Sequence, residues 1–279
     1  MGRFSGKTCF ITGASSGIGA ALARALAAEG ANLGLAARSQ ERLDAVAQSI
    51  PDHASRVVTA VCDVTRRSEV DAAVSATADR FGGIDVAVAN AGFGVSGRFE
   101  KLTTEDFRRQ FEPNVFGVIE TAYAVLPYLE ASKGCLGLLG SILGRMGIPA
   151  STPYCASKFA VCGLAESLYY DLADKGVAVV CINPGVVDSN IRRTSNDGEV
   201  HPDAPDPAPS LLIVPTDKAA RDIVNALHRR RFEAVITGHG KIMVTLARHF
   251  PRTWRFFMRR MSAGNMDSVE KRKRGDLSP

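Results

Sequence analysis

Tyr154 and Lys158 stand four residues apart near the start of a helix-patterned stretch, and Ser141 lies thirteen residues before the tyrosine. On a helix, that spacing puts the tyrosine and lysine side chains on one face. A phenol titrates at about 10 when unperturbed and serves poorly as an acid or base near neutrality, unless a cation one turn away favours its phenolate. The chemistry these three groups could do is proton transfer to or from a substrate oxygen. By itself, Tyr-x-x-x-Lys is also what an exposed helix face commonly carries, so the pair takes its meaning from its surroundings.

A second group of residues could hold a phosphate. Thr12-Gly13-Ala14-Ser15-Ser16-Gly17-Ile18-Gly19 closes a strand-like run and opens an Ala-rich helix. Glycines there allow a sharp turn and let a pyrophosphate approach the positive N-terminal end of the helix. The spacing is G-x-x-x-G-x-G rather than G-x-G-x-x-G. The strand before it and the helix after it supply the context a dinucleotide site requires, where a glycine cluster alone would suit any helix-entry turn. The next strand-like run ends in Ala36-Ala37-Arg38-Ser39. It lacks the carboxylate that would bind a ribose 2′-hydroxyl and offers an arginine for a 2′-phosphate, which favours NADP(H) over NAD(H). A solvated surface charge is the competing account of Arg38.

These residues must be positioned by regular elements. Short β-branched or apolar runs near 7–12, 31–37, 56–61, 84–89, 135–140, 177–182 and 233–237 alternate with helical spacing at 17–29, 39–49, 67–81, 104–132, 153–174 and 216–230. The alternation predicts an α/β fold: a doubly wound, parallel, seven-stranded sheet with helices on both faces, Rossmann-like, carrying a short amphipathic helical appendage. Residues 1–239 are expected to form the catalytic domain, with 188–214 as a substrate loop because it is long, Pro-rich and aperiodic. Residues 240–261 are expected to form a basic amphipathic appendage split by Pro251, and 262–279 a disordered tail.

Asp63-Val64, Asn90-Ala91-Gly92, Asn114, Ser141, Tyr154-x-x-x-Lys158 and Asn183-Pro184-Gly185 follow the glycine turn in order, at the ends of the expected strands or on the helices between them. In this joint set the sequence resembles the short-chain dehydrogenase/reductase family in its compact single-domain form, over residues 5 to about 237. The resemblance implies that Tyr154 is the general acid/base and that Lys158 lowers its pKa and binds the nicotinamide ribose. It further implies that Ser141 hydrogen-bonds the substrate oxygen and that Asn114 supports a water-linked proton relay to Lys158. Cofactor contacts are implied for Gly13, Ser15, Ser16, Gly17, Ile18, Gly19, Arg38, Asp63, Val64, Asn90, Ala91, Gly92, Tyr154, Lys158, Pro184, Gly185, Val187 and Ser189. Elementary chemistry agrees, because hydride transfer to a carbonyl builds alkoxide charge that Ser141 and Tyr154 can stabilise and protonate. The implied activity is an NADP(H)-dependent reductase or dehydrogenase acting on a carbonyl or secondary alcohol.

The sequence departs from the family's pattern at three places. Ala89 replaces the first of a usual asparagine pair, Gly140 stands where a serine is frequent, and Val186-Val187-Asp188-Ser189 replaces a run containing a threonine, for which Ser189 could substitute. None removes a catalytic group.

Composition bounds the alternatives. The chain has 279 residues, 46% hydrophobic and 23% charged, which excludes disordered and collagen-like classes. Ten basic residues against Asp267 and Glu270 give 241–274 a net charge of +8, leaving −3 for the rest of a +5 chain. That argues against nucleic acid as a partner for the main body. Six cysteines without a C-x-x-C pair read as buried small hydrophobes in a reducing compartment. The start lacks a signal-peptide pattern and no run suggests a membrane span, so a cytoplasmic location is expected.

Apolar segments at 93–98, 142–148 and 188–214 are expected to line the substrate pocket and to favour a lipophilic ketone or alcohol, although they could equally just pack the lid. A homodimer or homotetramer through 104–132 and 153–174 is implied by the resemblance alone. For the basic stretch 241–261, packing onto protein, covering the cleft and peripheral membrane contact all remain open. Two other classes also stand: a non-catalytic NADP(H) sensor, and a membrane-surface module that uses the basic tail.

Overall fold

In the computed structural model, residues 2–196, 206 and 208–260 are described. The expected disordered tail at 262–279, and residues 197–205 and 207 of the expected substrate loop, lie outside them.

Each strand is a short run of apolar residues bounded by a turn. The strands are β1 (Thr8–Thr12), β2 (Asn32–Ala37), β3 (Val57–Val61), β4 (Val86–Ala89), β5 (Cys135–Leu139), β6 (Ala178–Asn183) and β7 (Glu233–Val235). They form one sheet in the order β3-β2-β1-β4-β5-β6-β7, with every pairing parallel. Helices cover both faces, so β1, whose five residues are all buried, has no alternation of polar and apolar positions.

On one face, α1 (Gly17–Ala28) packs against α8 (Thr216–Arg229), with α2 (Gln40–Gln48) beside them. Leu22, Leu26, Leu43, Ile223 and Leu227 join Leu33 and Leu35 in one core. On the other face α4 (Arg67–Phe81), α6 (Gly117–Ser132) and α7 (Thr152–Asp171) bury Val70, Val125, Leu129 and Val161 against Phe10 and Leu136. The chain crosses between faces after β3, so β1 and β4 are neighbours whose outgoing connections diverge. A crevice for ligand opens there, at the carboxyl ends of the strands.

The stretch expected as one helix over 104–132 is instead two. α5 (Thr104–Phe111), fixed at its start by the Thr103–Asp106 capping box, passes into a wide π turn over Glu112–Phe116 before α6 begins. Pro113 has no N–H to donate to the Arg109 carbonyl, so the α-helical ladder cannot run through it. Side-chain periodicity survives a one-residue bulge, which is why the sequence reads as continuous. A single turn, α3 (His53–Arg56), precedes β3.

Beyond β7 the chain forms α9 (Gly238–His249) and then a second helical run over 251–260. Pro251 separates them as expected. It occupies the first turn of the second run, where a missing N–H costs nothing.

Candidate active site

The turn between β1 and α1 is shaped by backbone crowding. Gly13 has a φ of +66°, and a Cβ there would stand 2.8 Å from Ala91 Cα; at Gly19 a Cβ would stand 2.3 Å from the Gly13 carbonyl oxygen. Asn90 clamps this turn to β4: its Nδ2 donates to the Thr12 and Gly13 carbonyls at 2.8 and 3.2 Å. The Asn90 and Ala91 N–H groups both donate to Thr12 Oγ1. The first turn of α1 carries no acidic residue, and its N-cap, Ser16, makes no capping hydrogen bond with its side chain. The first-turn N–H groups and the positive end of the helix dipole are therefore available to an anion. This cradle fits the diphosphate of a dinucleotide.

Other expected cofactor residues cluster around it. Ser189 approaches to 3.4 Å of where a Gly17 Cβ would stand, joining the segment after Pro184-Gly185 to the glycine turn. Arg38, exposed at the end of β2, forms no ion pair among the described residues. Asp63 Oδ1 accepts from the Thr65 backbone and hydroxyl, and Val64 packs under Gly117 at the start of α6.

Ser141, Tyr154 and Lys158 come together at the end of β5 and the start of α7. Asn183 Oδ1 accepts the Ser141 backbone N–H at 3.1 Å, and the Leu143 N–H donates to Ser141 Oγ at 3.1 Å. The serine hydroxyl proton is thus left to point elsewhere, and the Ser141 side chain lies close enough to the Tyr154 phenol to oppose the rise of its pKa. The departure at Gly140 has its reason here, because a Cβ would stand 2.3 Å from Asn183 Oδ1. Lys158, only 4% exposed, donates from Nζ to the Leu139 carbonyl at 2.7 Å. Burial pushes the Tyr154 phenol up to about 12, against the Ser141 side chain and the nearby Arg192 charge, and burial lowers the Lys158 ammonium to about 8.

Asn114 sits in the π turn, fully buried. Its Oδ1 accepts the Phe93 N–H at 3.0 Å, and its Nδ2 donates to the Phe93 carbonyl and to Ser157 Oγ. Its side chain is therefore committed to the 93–98 segment and α7 rather than to Lys158, leaving only its backbone to join a water-linked path.

A family model described as short chain dehydrogenase matches residues 7–200. The chain belongs to the short-chain dehydrogenase/reductase family, an oxidoreductase family. It is 36% identical over 200 residues to an uncharacterized oxidoreductase of Staphylococcus epidermidis, covering 71% of this chain and 86% of that one. An alcohol dehydrogenase from Thermococcus sibiricus, solved with 5-hydroxy-NADP, is 30% identical with a TM-score of 0.72 over 82% of this chain and 95% of that one. A short-chain dehydrogenase/reductase from Burkholderia phymatum, solved with NAD, is 26% identical with a TM-score of 0.79 over 91% of this chain and 96% of that one.

Within this short-chain dehydrogenase/reductase, four further residues support the site without having been legible as candidates. Arg192 forks onto both carboxylate oxygens of Asp206 at 2.7 and 2.5 Å and donates from Nη1 to the Val187 carbonyl at 2.9 Å. The two ends of the 188–214 loop are also tied by Val214 N–H to Val186 O and Asp188 N–H to Val214 O. His239 Nε2 accepts the Val186 N–H at 3.0 Å, and Thr237 Oγ1 lies against the same ring. His239 and Thr237 follow the end of β7, the one signal that could have drawn notice. Arg192 and Asp206 sit in aperiodic sequence and carry none.

A cavity of about 930 Å³ lies between the 145–149 segment, the start of α7 and the C-terminal helices, and none of Ser141, Tyr154 and Lys158 lines it. Met146, Ile148 and Phe159 form one wall. Pro251, Trp254 and Met258 of the C-terminal helices form the other.

Proposed function

We propose that this protein is an NADP(H)-dependent carbonyl reductase or alcohol dehydrogenase that reduces a lipophilic ketone. The observation that carries the reading is buried Lys158, its ammonium 5.7 Å from the centroid of the Tyr154 ring, with the Ser141 side chain close to the same phenol and an anion cradle at the mouth of α1.

The glycine turn, Asp63, Asn90 and the Pro184–Ser189 segment would hold the nucleotide, with Lys158 on its nicotinamide ribose. The bound nicotinamide nucleotide supplies the hydride. Ser141, whose Oγ already accepts from Leu143, donates to the substrate oxygen and stabilises the charge that builds on it. Tyr154 gives that oxygen its phenolic proton. Lys158, held beneath the ring by Leu139, favours the resulting phenolate by its charge, and Asn114 keeps the 93–98 wall in register with α7.

Arg38 supports the preference for NADP(H), since it stands exposed after Ala37 where a 2′-phosphate would lie, with no carboxylate beside it in the sequence. The mainly apolar segments 93–98 and 142–148, which follow the carboxyl ends of β4 and β5, support a lipophilic substrate. Exposed Phe116, Tyr123 and Tyr170 on or next to α6 and α7 support a homodimer or homotetramer through those helices.

The test is NADPH oxidation against small, aromatic, long-chain and steroid-like ketones, with Tyr154→Phe alongside. Loss of roughly 10²–10⁴-fold in kcat with nucleotide affinity unchanged is expected. Full turnover in Tyr154→Phe would remove the tyrosine from its role.

A further inference from the structure

The two C-terminal helical runs divide their apolar residues between two directions. Trp254 and Met258, four apart, face the cavity. Ile242 and Leu246, four apart and so on one face of α9, are 64 and 43% exposed; Phe250, just past the helix end, is 58% exposed, and Phe256 and Phe257 are 61 and 54% exposed. Five large apolar side chains so close in sequence are more than the scattered hydrophobes an ordinary surface carries.

The charges around them have one sign. Between Lys241 and Arg260 stand Lys241, Arg248, Arg252, Arg255, Arg259 and Arg260, with no acidic residue among them; Arg255 and Arg259 line the cavity with Trp254 and Met258, and the other four do not. None of these six forms an ion pair among the described residues. The Arg260 guanidinium lies 5.1 Å over the Phe256 ring, a long cation laid along an apolar surface with its head free.

We infer that this face docks on an anionic lipid bilayer, its exposed phenylalanines and aliphatics entering the headgroup boundary and its arginines meeting lipid phosphates. An amphipathic helix with a basic border lies in the interface in this way. No helix among the described residues is long and apolar enough to cross a membrane, so the attachment is to one surface. A second copy of the chain is the poorer occupant. A two-fold contact would set the same patch against itself and bring the four cations outside the cavity, Lys241, Arg248, Arg252 and Arg260, onto their own copies. The chain outside 241–274 has a net charge of −3 and would be repelled by the same bilayer, so binding orients the molecule tail-first.

The experiment is co-sedimentation of the full chain with vesicles of phosphatidylcholine alone or of phosphatidylcholine with phosphatidylglycerol. Wild type should partition at least tenfold more strongly onto the anionic vesicles, and weaken as salt rises from about 0.1 to about 1 M, where the Debye length falls from about 10 to about 3 Å. Phe250→Ser with Phe257→Ser, and separately Arg252→Glu with Arg260→Glu, should each reduce that binding at least tenfold without moving the melting temperature. Equal partition onto both vesicle types, or binding indifferent to both double variants, overturns the inference. So does absent vesicle binding accompanied by a drop in sedimentation coefficient for Phe250→Ser with Phe257→Ser, which would make the face a subunit contact.

Discussion

Lys158 holds its ammonium 5.7 Å from the centroid of the Tyr154 ring and spends one of its three protons on the Leu139 carbonyl. The two groups are perturbed by the same cause in opposite senses: burial disfavours the charged form of each, raising the phenol and lowering the ammonium.

A stability dependence follows from the lysine. Its pKa is about 8 in the folded protein against 10.5 for an ordinary lysine, so between those values the unfolded chain binds more protons and stability rises with pH. Below pH 8 both states are protonated and the folded state carries the full cost, about 3 kcal/mol. Lys158→Met should therefore melt no lower than wild type at pH 7, although turnover collapses. Wild type should gain on the variant from pH 8 to 10.5. Calorimetry of both proteins across that range decides it, and a constant difference would contradict the buried ammonium.

Gly19→Ala should abolish tight nucleotide binding. The added Cβ meets the Gly13 carbonyl oxygen at 2.3 Å, so the turn must open where the diphosphate would sit. A loss of at least tenfold in NADPH affinity, measured by fluorescence titration, is expected together with a destabilisation of about 1–3 kcal/mol. Wild-type affinity in the variant would move the nucleotide elsewhere.

Arg38→Ser separates the two nucleotides. With the guanidinium gone, kcat/KM with NADPH should fall by about tenfold to a hundredfold, or about 1.4–2.8 kcal/mol, while that with NADH holds. Equal losses with both would make Arg38 a solvated surface charge.

The Arg192–Asp206 fork should set how well the 188–214 loop is held. Arg192 pulls the Asp206 carboxyl below its ordinary 3.8, so the pair contributes in full above that pH and is lost as pH falls through the lowered value. Asp206→Asn should raise KM several-fold at pH 7 and speed proteolysis within 188–214, a loosening of about 1–3 kcal/mol. Unchanged cleavage in the variant would leave the fork without a role in loop order.

Much of this molecule was legible in the sequence. The glycine turn, the strand-end asparagines and Tyr154-x-x-x-Lys158 are local patterns, because a tight turn, a strand end or one helix face is built from residues close together in the chain. The seven strands and their helices followed from hydrophobic period alone, and even the break at Pro251 is a property of one residue.

What the tertiary structure decided involves contacts that no local pattern encodes. Pro113 breaks the helical ladder by itself, but burying Asn114 in the resulting π turn took the 93–98 segment and α7. Tyr-x-x-x-Lys taken alone does not show that Lys158 is buried, and its enclosure with Nζ on the Leu139 carbonyl is a product of packing. Arg192 finds Asp206, and His239 finds Val186, because loop ends and the segment after β7 converge on the same edge of the sheet. Hydrophobic spacing marked the C-terminal helices as amphipathic. Which apolar residues line the cavity and which remain exposed depended on where the sheet stood, since a helix carries its pattern but takes its inward direction from what it packs against.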